Sequence, residues 1–312
     1  MVSSSQLSSN KSKTYLGFLE KVEKDFEDCK LLNDENFTKV YKVLSSYLPL
    51  KRPFEFIILK YLLENKEATL LELKNEIKKN IVSIDKDTLE HTVECLLGMY
   101  LDSTQTKANI IMIKKENEKI LLSDEFRNIL ENEKNKLYIE DCINYGLLRY
   151  DREFGSVNYG MPFFKLYEQY QMVDTALLSN YRKIHSSFRG SGLVTNGNDW
   201  FLFIDLHKEE DIKESINYKD KFISRDIFQW QSPNNTKLNS ERGKRLVNNV
   251  EENTRLHLFV RKYRELDGGV EPYIYIGQGD TIWHEGEKPI TVHFKLRNEV
   301  PTKIYTEFIN KI

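Results

Sequence analysis

The stretch Tyr218–Gly243, YKDKFISRDIFQWQSPNNTKLNSERG, decides how the chain is read. Tyr218, Phe222, Phe228 and Trp230 form an aromatic β segment, and a polar run follows at Gln231, Ser232, Asn234, Asn235, Thr236 and Ser240. Lys237, Arg242, Lys244 and Arg245 then bring four cations, with Glu241 the single acid among them. Aromatic faces beside amides, hydroxyls and positive charge are the groups that hold bases and phosphates. A buried strand end followed by a solvated loop draws on the same residue types. Gln231, Asn234, Asn235 and Asn239 suit adenine edges and Arg242 suits guanine. Trp230 either stacks on a base or anchors the loop in the core. Both readings stay open at this stage.

Around this stretch the period is that of strands. Gly192–Thr195, Trp200–Leu206, His257–Lys262, Tyr273–Gln278 and Ile290–Leu296 are the candidates, and Asn196-Gly197 is a hairpin signal. They predict a compact, mostly antiparallel, barrel-like β domain over 163–312, entered through helical pieces near Phe163–Tyr170 and Val173–Tyr181. A second cationic group, Arg182, Lys183 and Arg189 with His185, precedes the first strand. It offers phosphate contacts or is solvated helix-end charge.

Towards the N-terminus the period becomes helical, which makes the fold class α+β. Leu16, Phe18, Leu19, Val22 and Phe26 form a stripe; Pro53 opens a helix, as its fixed φ allows. Thr69 and Glu72 have capping-box spacing before a second helix, and a third begins near Asp87. Two short β runs, Asn109–Ile113 and Lys119–Leu122, follow around a turn at Glu116 and Asn117. Three helices and a hairpin predict a winged-helix-like domain over 14–155, preceded by a flexible leader, 1–13. The third helix offers Asp85, Asp87, Glu90 and Glu94 against Lys86 and His91, a face that repels phosphate. This half therefore reads as a docking element rather than a DNA reader. The break falls at Ser156–Phe164, where Gly160 and Pro162 end the helical pattern.

At 312 residues, two domains are the natural division. The hydrophobic share of 40% suffices for ordinary cores, and the net charge of −2 supplies no global attraction to polyanions. Any nucleic-acid contact must come from a local patch. No apolar run reaches membrane length and no signal-peptide core opens the chain, so the expected location is the cytoplasm. Cys29, Cys95 and Cys142 lie apart without a CxxC pair, which argues against a disulfide framework or a cysteine zinc site.

Local catalytic motifs are missing. A phosphate-cradling GxxxxGK is not formed around Gly243-Lys244, because Leu238 replaces the first glycine and Arg245 follows the lysine. His293 and Lys295 have phospholipase-D-type HxK spacing, but Val300 stands at the aspartate position and strand alternation explains the pair. Glu64/Lys66 and Glu72/Lys74 sit in helical patterns, unlike the strand carboxylates of a metal nuclease. His284-Glu285 lacks a second histidine, and Gly286 and Pro289 forbid the zinc-protease helix. No GxSxG occurs, and Cys142 has no local histidine.

The run FLFIDLHK, then FQWQSPNNTKLNSERG, LHLFVRKY, PYIYIGQGD and HEGEKPITVHFKL resembles an uncharacterised bacterial domain family over about Tyr167–Pro301. That family is usually the C-terminal module of restriction-type proteins bearing a phospholipase-D-like nuclease and a superfamily II helicase. The specific blocks are Phe228, Trp230, Gln231, Ser232, Ser240 and Gly243, and then His284, Glu285, Gly286 and Pro289. Gln171 and Met172 replace an expected Ser-Arg pair, which puts a phosphate contact there in doubt. Without nuclease and motor, the chain is similar to a stand-alone component of a multi-subunit restriction enzyme of the BsuMI type. The resemblance implies a DNA-recognition subunit for anti-phage defence, with no cofactor in this chain. Mg²⁺ and NTP would belong to partner subunits, and double-stranded DNA and those subunits would be its partners. A nuclease with a site assembled from distant residues and a protein-binding scaffold are the alternatives.

Overall fold

The computed structural model describes residues 14–22, 26–48, 51–80, 84–155, 164–188, 192–206, 220–266 and 268–310. The leader, most of the Ser156–Phe164 break, Tyr218 and Arg189 lie outside them. The protein is mixed α+β, helical in its N-terminal half and sheet-rich in its C-terminal half. It divides into two units: Met1–Phe163 with Asn180–Ser187, and Phe164–Ser179 with Phe188–Ile312. The segment 180–187, read from sequence as lead-in to the β domain, belongs to the first unit.

The first unit is built from α1 (Tyr15–Val22), a short 3₁₀ turn, α2 (Glu35–Tyr47), α3 (Phe54–Asn65), β1 (Glu67–Thr69), α4 (Leu70–Asn80), α5 (Lys86–Leu96), α6 (Ser103–Ala108), β2 (Ile113–Glu116), β3 (Lys119–Leu122), α7 (Asp124–Leu130) and α8 (Glu133–Phe154). Local chemistry starts the helices. Asp34 accepts from the Asn36 and Phe37 amides, Asp85 accepts from Thr88, and Glu72 takes the Thr69 amide at 2.7 Å. Asn117, with φ of 53°, turns β2 into β3, and β1 pairs with β3 to give the antiparallel order β1-β3-β2. Strand β1 had no signal in the sequence. Phe56, Ile58, Leu59, Leu62, Leu73, Ile77, Leu89, Phe126 and Ile139 fill the core.

The second unit contains β4 (Gln169–Tyr170), α9 (Met172–Leu178), β5 (Leu193–Asn196), β6 (Asp199–Asp205), β7 (Lys221–Ser224), β8 (Ile227–Gln231), α10 (Glu241–Val247), β9 (Arg255–Arg261), β10 (Glu265–Leu266), β11 (Gly269–Val270), β12 (Tyr273–Glu285), β13 (Thr291–Leu296) and α11 (Thr302–Ile309). Its main sheet runs β5-β6-β9-β12-β13-β8-β7, with β4 added to β12. β5 and β7 are separate edges of an open path, which corrects the barrel-like expectation. Neighbours pair antiparallel except β6 and β9. Asn196 faces Asp199 across the expected hairpin, where Gly197 takes φ of 60°.

Both faces of the central strands are covered. Trp200, Leu202 and Ile204 of β6 join Leu256, Leu258, Phe294 and Trp230 in one core. Phe201 and Phe203 turn the other way, into an aromatic layer with Phe164, Tyr170, Phe188, Phe259 and Tyr275. Such double burial explains the nearly continuous apolar run of β6. Among the described residues no helix is long and apolar enough to cross a membrane.

Candidate nucleic-acid interface

Strand β8 alternates. Phe228 and Trp230 enter the core, while Gln229 and Gln231 lie half-exposed on the other face. Trp230 is only 3% exposed and packs on Phe294, so it anchors the sheet and offers no free stacking face. Ser232 is fully buried. Its amide donates to the Ile290 carbonyl at 2.8 Å, and its hydroxyl accepts the Ile290 amide at 2.9 Å. The Leu238 amide donates to the Glu287 carbonyl at 3.0 Å. These bonds join the loop after β8 to the turn between β12 and β13. The two signature blocks, more than forty residues apart in sequence, therefore converge at one end of the sheet.

Ser240 caps α10 by accepting the Gly243 amide at 3.1 Å. A Cβ at Gly243 would sit 2.7 Å from the Leu238 carbonyl oxygen and nearer still to that of Lys237. Serine and glycine here shape the loop. What they present outward is Asn234, Asn235, Lys237, Asn239, Arg242 and Lys244, all exposed. Among the described residues, Lys237, Arg242 and Lys244 form no ion pair, including with the exposed Glu241, Glu285 and Glu287. Arg245 is used within the fold. It donates to Thr254 at 3.0 Å and Asn198 at 2.9 Å and lies over the Trp200 ring at 5.1 Å.

On the outward sheet face the sequence reading missed an aromatic. Trp283 is 42% exposed and lies against His293, with ring centroids 4.3 Å apart. Trp283, His293, Gln229 and Lys221 occupy facing positions on β12, β13, β8 and β7. This gives a row of indole, imidazole, amide and ammonium across four strands. His293 Nε2 and Gln229 Oε1 are 3.1 Å apart. A neighbouring row sets Glu285, Thr291 and Gln231 side by side, next to the pinned loop. The strand expected from sequence stops at Gln278, so this indole was not assigned to the sheet; β12 runs on through a bulge between Thr281 and Trp283.

Arg182 proves to be committed elsewhere. In the first unit it binds Asp87 at 2.8 Å and also Glu94, both on α5. The acidic helix face draws the cation in, which corrects its reading as a phosphate ligand. Lys183 is exposed, 6.0 Å from the Tyr181 ring centre. His91, assigned from sequence to the solvent side, is fully buried. Arg52 donates to its Nδ1 at 3.4 Å, so Nε2 carries the proton and donates to the Tyr181 carbonyl at 3.3 Å. His91, Cys95 and His185 bring ligand atoms within 4.8 Å of one another. Both His91 nitrogens already have protein partners, and the buried Arg52 guanidinium opposes a second cation.

Comparison with known proteins places residues 164–308 in a match to the family described as "Domain of unknown function (DUF3427)". Residues 1–152 match the family described as "Domain of unknown function (DUF8090)". No curated protein matches the chain. Among solved structures, similarity is found to the SUVH5 SRA domain in a complex with hemi methylated CG DNA. The identity is 13% and the TM-score 0.31, covering 46% of this chain and 96% of that one. Arabidopsis thaliana SUVH6 in complex with SAM is similar at 13% identity and a TM-score of 0.28, covering 51% of this chain and 32% of SUVH6.

Proposed function

We propose that the second unit recognises double-stranded DNA through the pinned loops and the adjoining outward sheet face. One observation carries this reading: Lys237 on the loop fixed by the Ser232–Ile290 and Leu238–Glu287 hydrogen bonds, and Arg242 and Lys244 at the start of α10 that follows it, are exposed without ion-pair partners among the described residues. Unneutralised cations on a fixed loop bind phosphates without a large ordering cost. Asn234, Asn235 and Asn239 beside them supply groups that can read base edges. Trp283 is placed for the stacking role that the sequence left open for Trp230.

The first unit is inferred to dock protein. Its order of helix α3, strand β1, helices α4, α5 and the short α6, and the β2–β3 hairpin supports a winged-helix reading. The third helix, α5, would enter a groove in a DNA reader of that kind. Here the segment 180–187 lies against it, with Asn180 on Thr88, Tyr181 on His91 and Arg182 on Asp87 and Glu94. We read the chain as the recognition component of a multi-subunit restriction assembly in which other subunits cut DNA and hydrolyse NTP. The convergence of the Ser232–Gly243 and His284–Pro289 blocks supports placing recognition there.

The test is a gel-shift titration of the purified chain on double-stranded DNA across a salt series. Binding that weakens linearly on a log–log plot with salt is expected. No binding at low salt would overturn the reading and leave a protein scaffold. Mg²⁺-dependent nicking of plasmid would favour a nuclease instead.

A further inference from the structure

We propose that the outward stripe of α8 is a self-complementary surface on which a second copy of this chain packs antiparallel. Leu137, Asp141, Asn144 and Leu148 recur at intervals of four, three and four. That is the seam spacing of paired helices. All four are exposed, Leu137 by 62% and Leu148 by 47%, while Ile139, Cys142 and Ile143 bury the opposite side in the core. Single exposed leucines are ordinary. The symmetry of this stripe is what points to a partner.

A two-fold axis between Cys142 and Ile143 sets Leu137 against Leu148 of the second copy. It sets Asp141 against Asn144, so that on each side of the axis an amide donates to a carboxylate. A polar pair within an apolar seam fixes the register of two helices. At the ends the axis sets Glu133 against Arg152 and Lys134 against Asp151, opposite signs in both cases. Glu133, Asp151 and Arg152 have no ion-pair partner among the described residues, whereas Lys134 already binds Asp28 at 2.5 Å. The flanking cations Lys136 and Arg149 are compensated on their own helix by Glu140 and Glu153. Parallel pairing would instead set Asp141 on Asp141 and Arg152 on Arg152. Charge complementarity thus selects the antiparallel isologous arrangement. The helix has 22 residues, and the seam from Glu133 to Arg152 spans about 28 Å of it.

Sedimentation of the full chain at low salt provides the test. The mass should rise from 36.9 kDa towards twice that value as concentration approaches about 100 μM, as for a small interface. Leu148→Glu should leave a monomer with an unchanged helical melt. Arg152→Glu should weaken association about tenfold, because two symmetric pairs become repulsive. Glu133→Arg combined with Arg152→Glu should restore it. A wild-type chain that stays monomeric, association that survives Leu148→Glu, or failure of the double reversal would each overturn the proposal.

Discussion

Ser232 and Ile290 exchange two hydrogen bonds, amide to carbonyl at 2.8 Å and amide to hydroxyl at 2.9 Å, and so tie the loop after β8 to the start of β13. The side chain that sequence suggested for DNA is a clamp. Its hydroxyl replaces a backbone acceptor where the strand pairing ends. Ser232→Ala leaves the Ile290 amide buried and unpaired, which costs about 1–3 kcal/mol. A urea titration followed by tryptophan fluorescence measures it. An unchanged midpoint would mean that water reaches the site.

Arg242→Ala with Lys244→Ala should weaken DNA binding and reduce the slope of log affinity against log salt by about 2. Both residues are exposed at the start of α10 and form no ion pair among the described residues, so the melting temperature should stay put. An unaltered slope removes the loop from the interface.

The two tryptophans trade roles. The sequence left Trp230 either to stack or to anchor the core, and a stacking Trp230 would lose binding more than stability on truncation. Its burial against Phe294 reverses that order. Trp230→Ala should cost about 3–5 kcal/mol. Trp283→Ala should leave stability nearly unchanged and reduce DNA affinity. Thermal melts and gel shifts on the two variants decide the point; equal melting temperatures would contradict the assignment.

What was legible in sequence was whatever local chemistry encodes. The Thr69–Glu72 cap, the Asn196-Gly197 turn and most strands of the main sheet fall where the residues put them, while the third helix starts at the Asp85 cap, two residues before the expected Asp87. What was hidden depends on distant partners. Arg52 looks like a solvated cation beside Pro53, yet it is wholly buried with Glu55. It also reaches His91, 39 residues away, and Asn180, 128 residues away. Nothing within one helix period announces such a network. The order of the strands is equally non-local, since β8 pairs with β13 across α10, β9 and β12. An open sheet and a closed barrel share the same alternation within each strand, so the period could not separate them.

Acid should loosen the first unit through His91. Burial, aided by the Arg52 guanidinium and by His185, brings its pKa down from 6.5 to about 3. Burial likewise brings His185 to about 4. Between about pH 6.5 and those values the unfolded chain binds protons that the folded chain refuses, so stability falls as pH drops. Each group contributes at most about 1.4 kcal/mol per pH unit in that window. All three tryptophans lie in the second unit, which lets fluorescence be separated from helical circular dichroism. The urea midpoint of the helical signal should drop from pH 7.5 to 5. A flat helical midpoint would show that the buried imidazoles are reached by protons in the folded state.

Gly243→Ala tests loop shape without removing a charge. Its place in the first turn of α10 suits alanine as well as glycine, and helix propensity alone favours the change by about 1 kcal/mol. The added Cβ, however, meets the Leu238 carbonyl at 2.7 Å and the Lys237 carbonyl more closely, and backbone cannot swing aside as a side chain can. The loop must lift away from α10, pulling on the Leu238–Glu287 hydrogen bond. Net destabilisation of about 1–3 kcal/mol is expected from such overpacking. DNA affinity should fall while the salt slope stays near the wild-type value, because every cation remains. A slope reduced as far as in the Arg242 and Lys244 double variant would mean that the cations, and not the geometry that holds them, were lost from the contact.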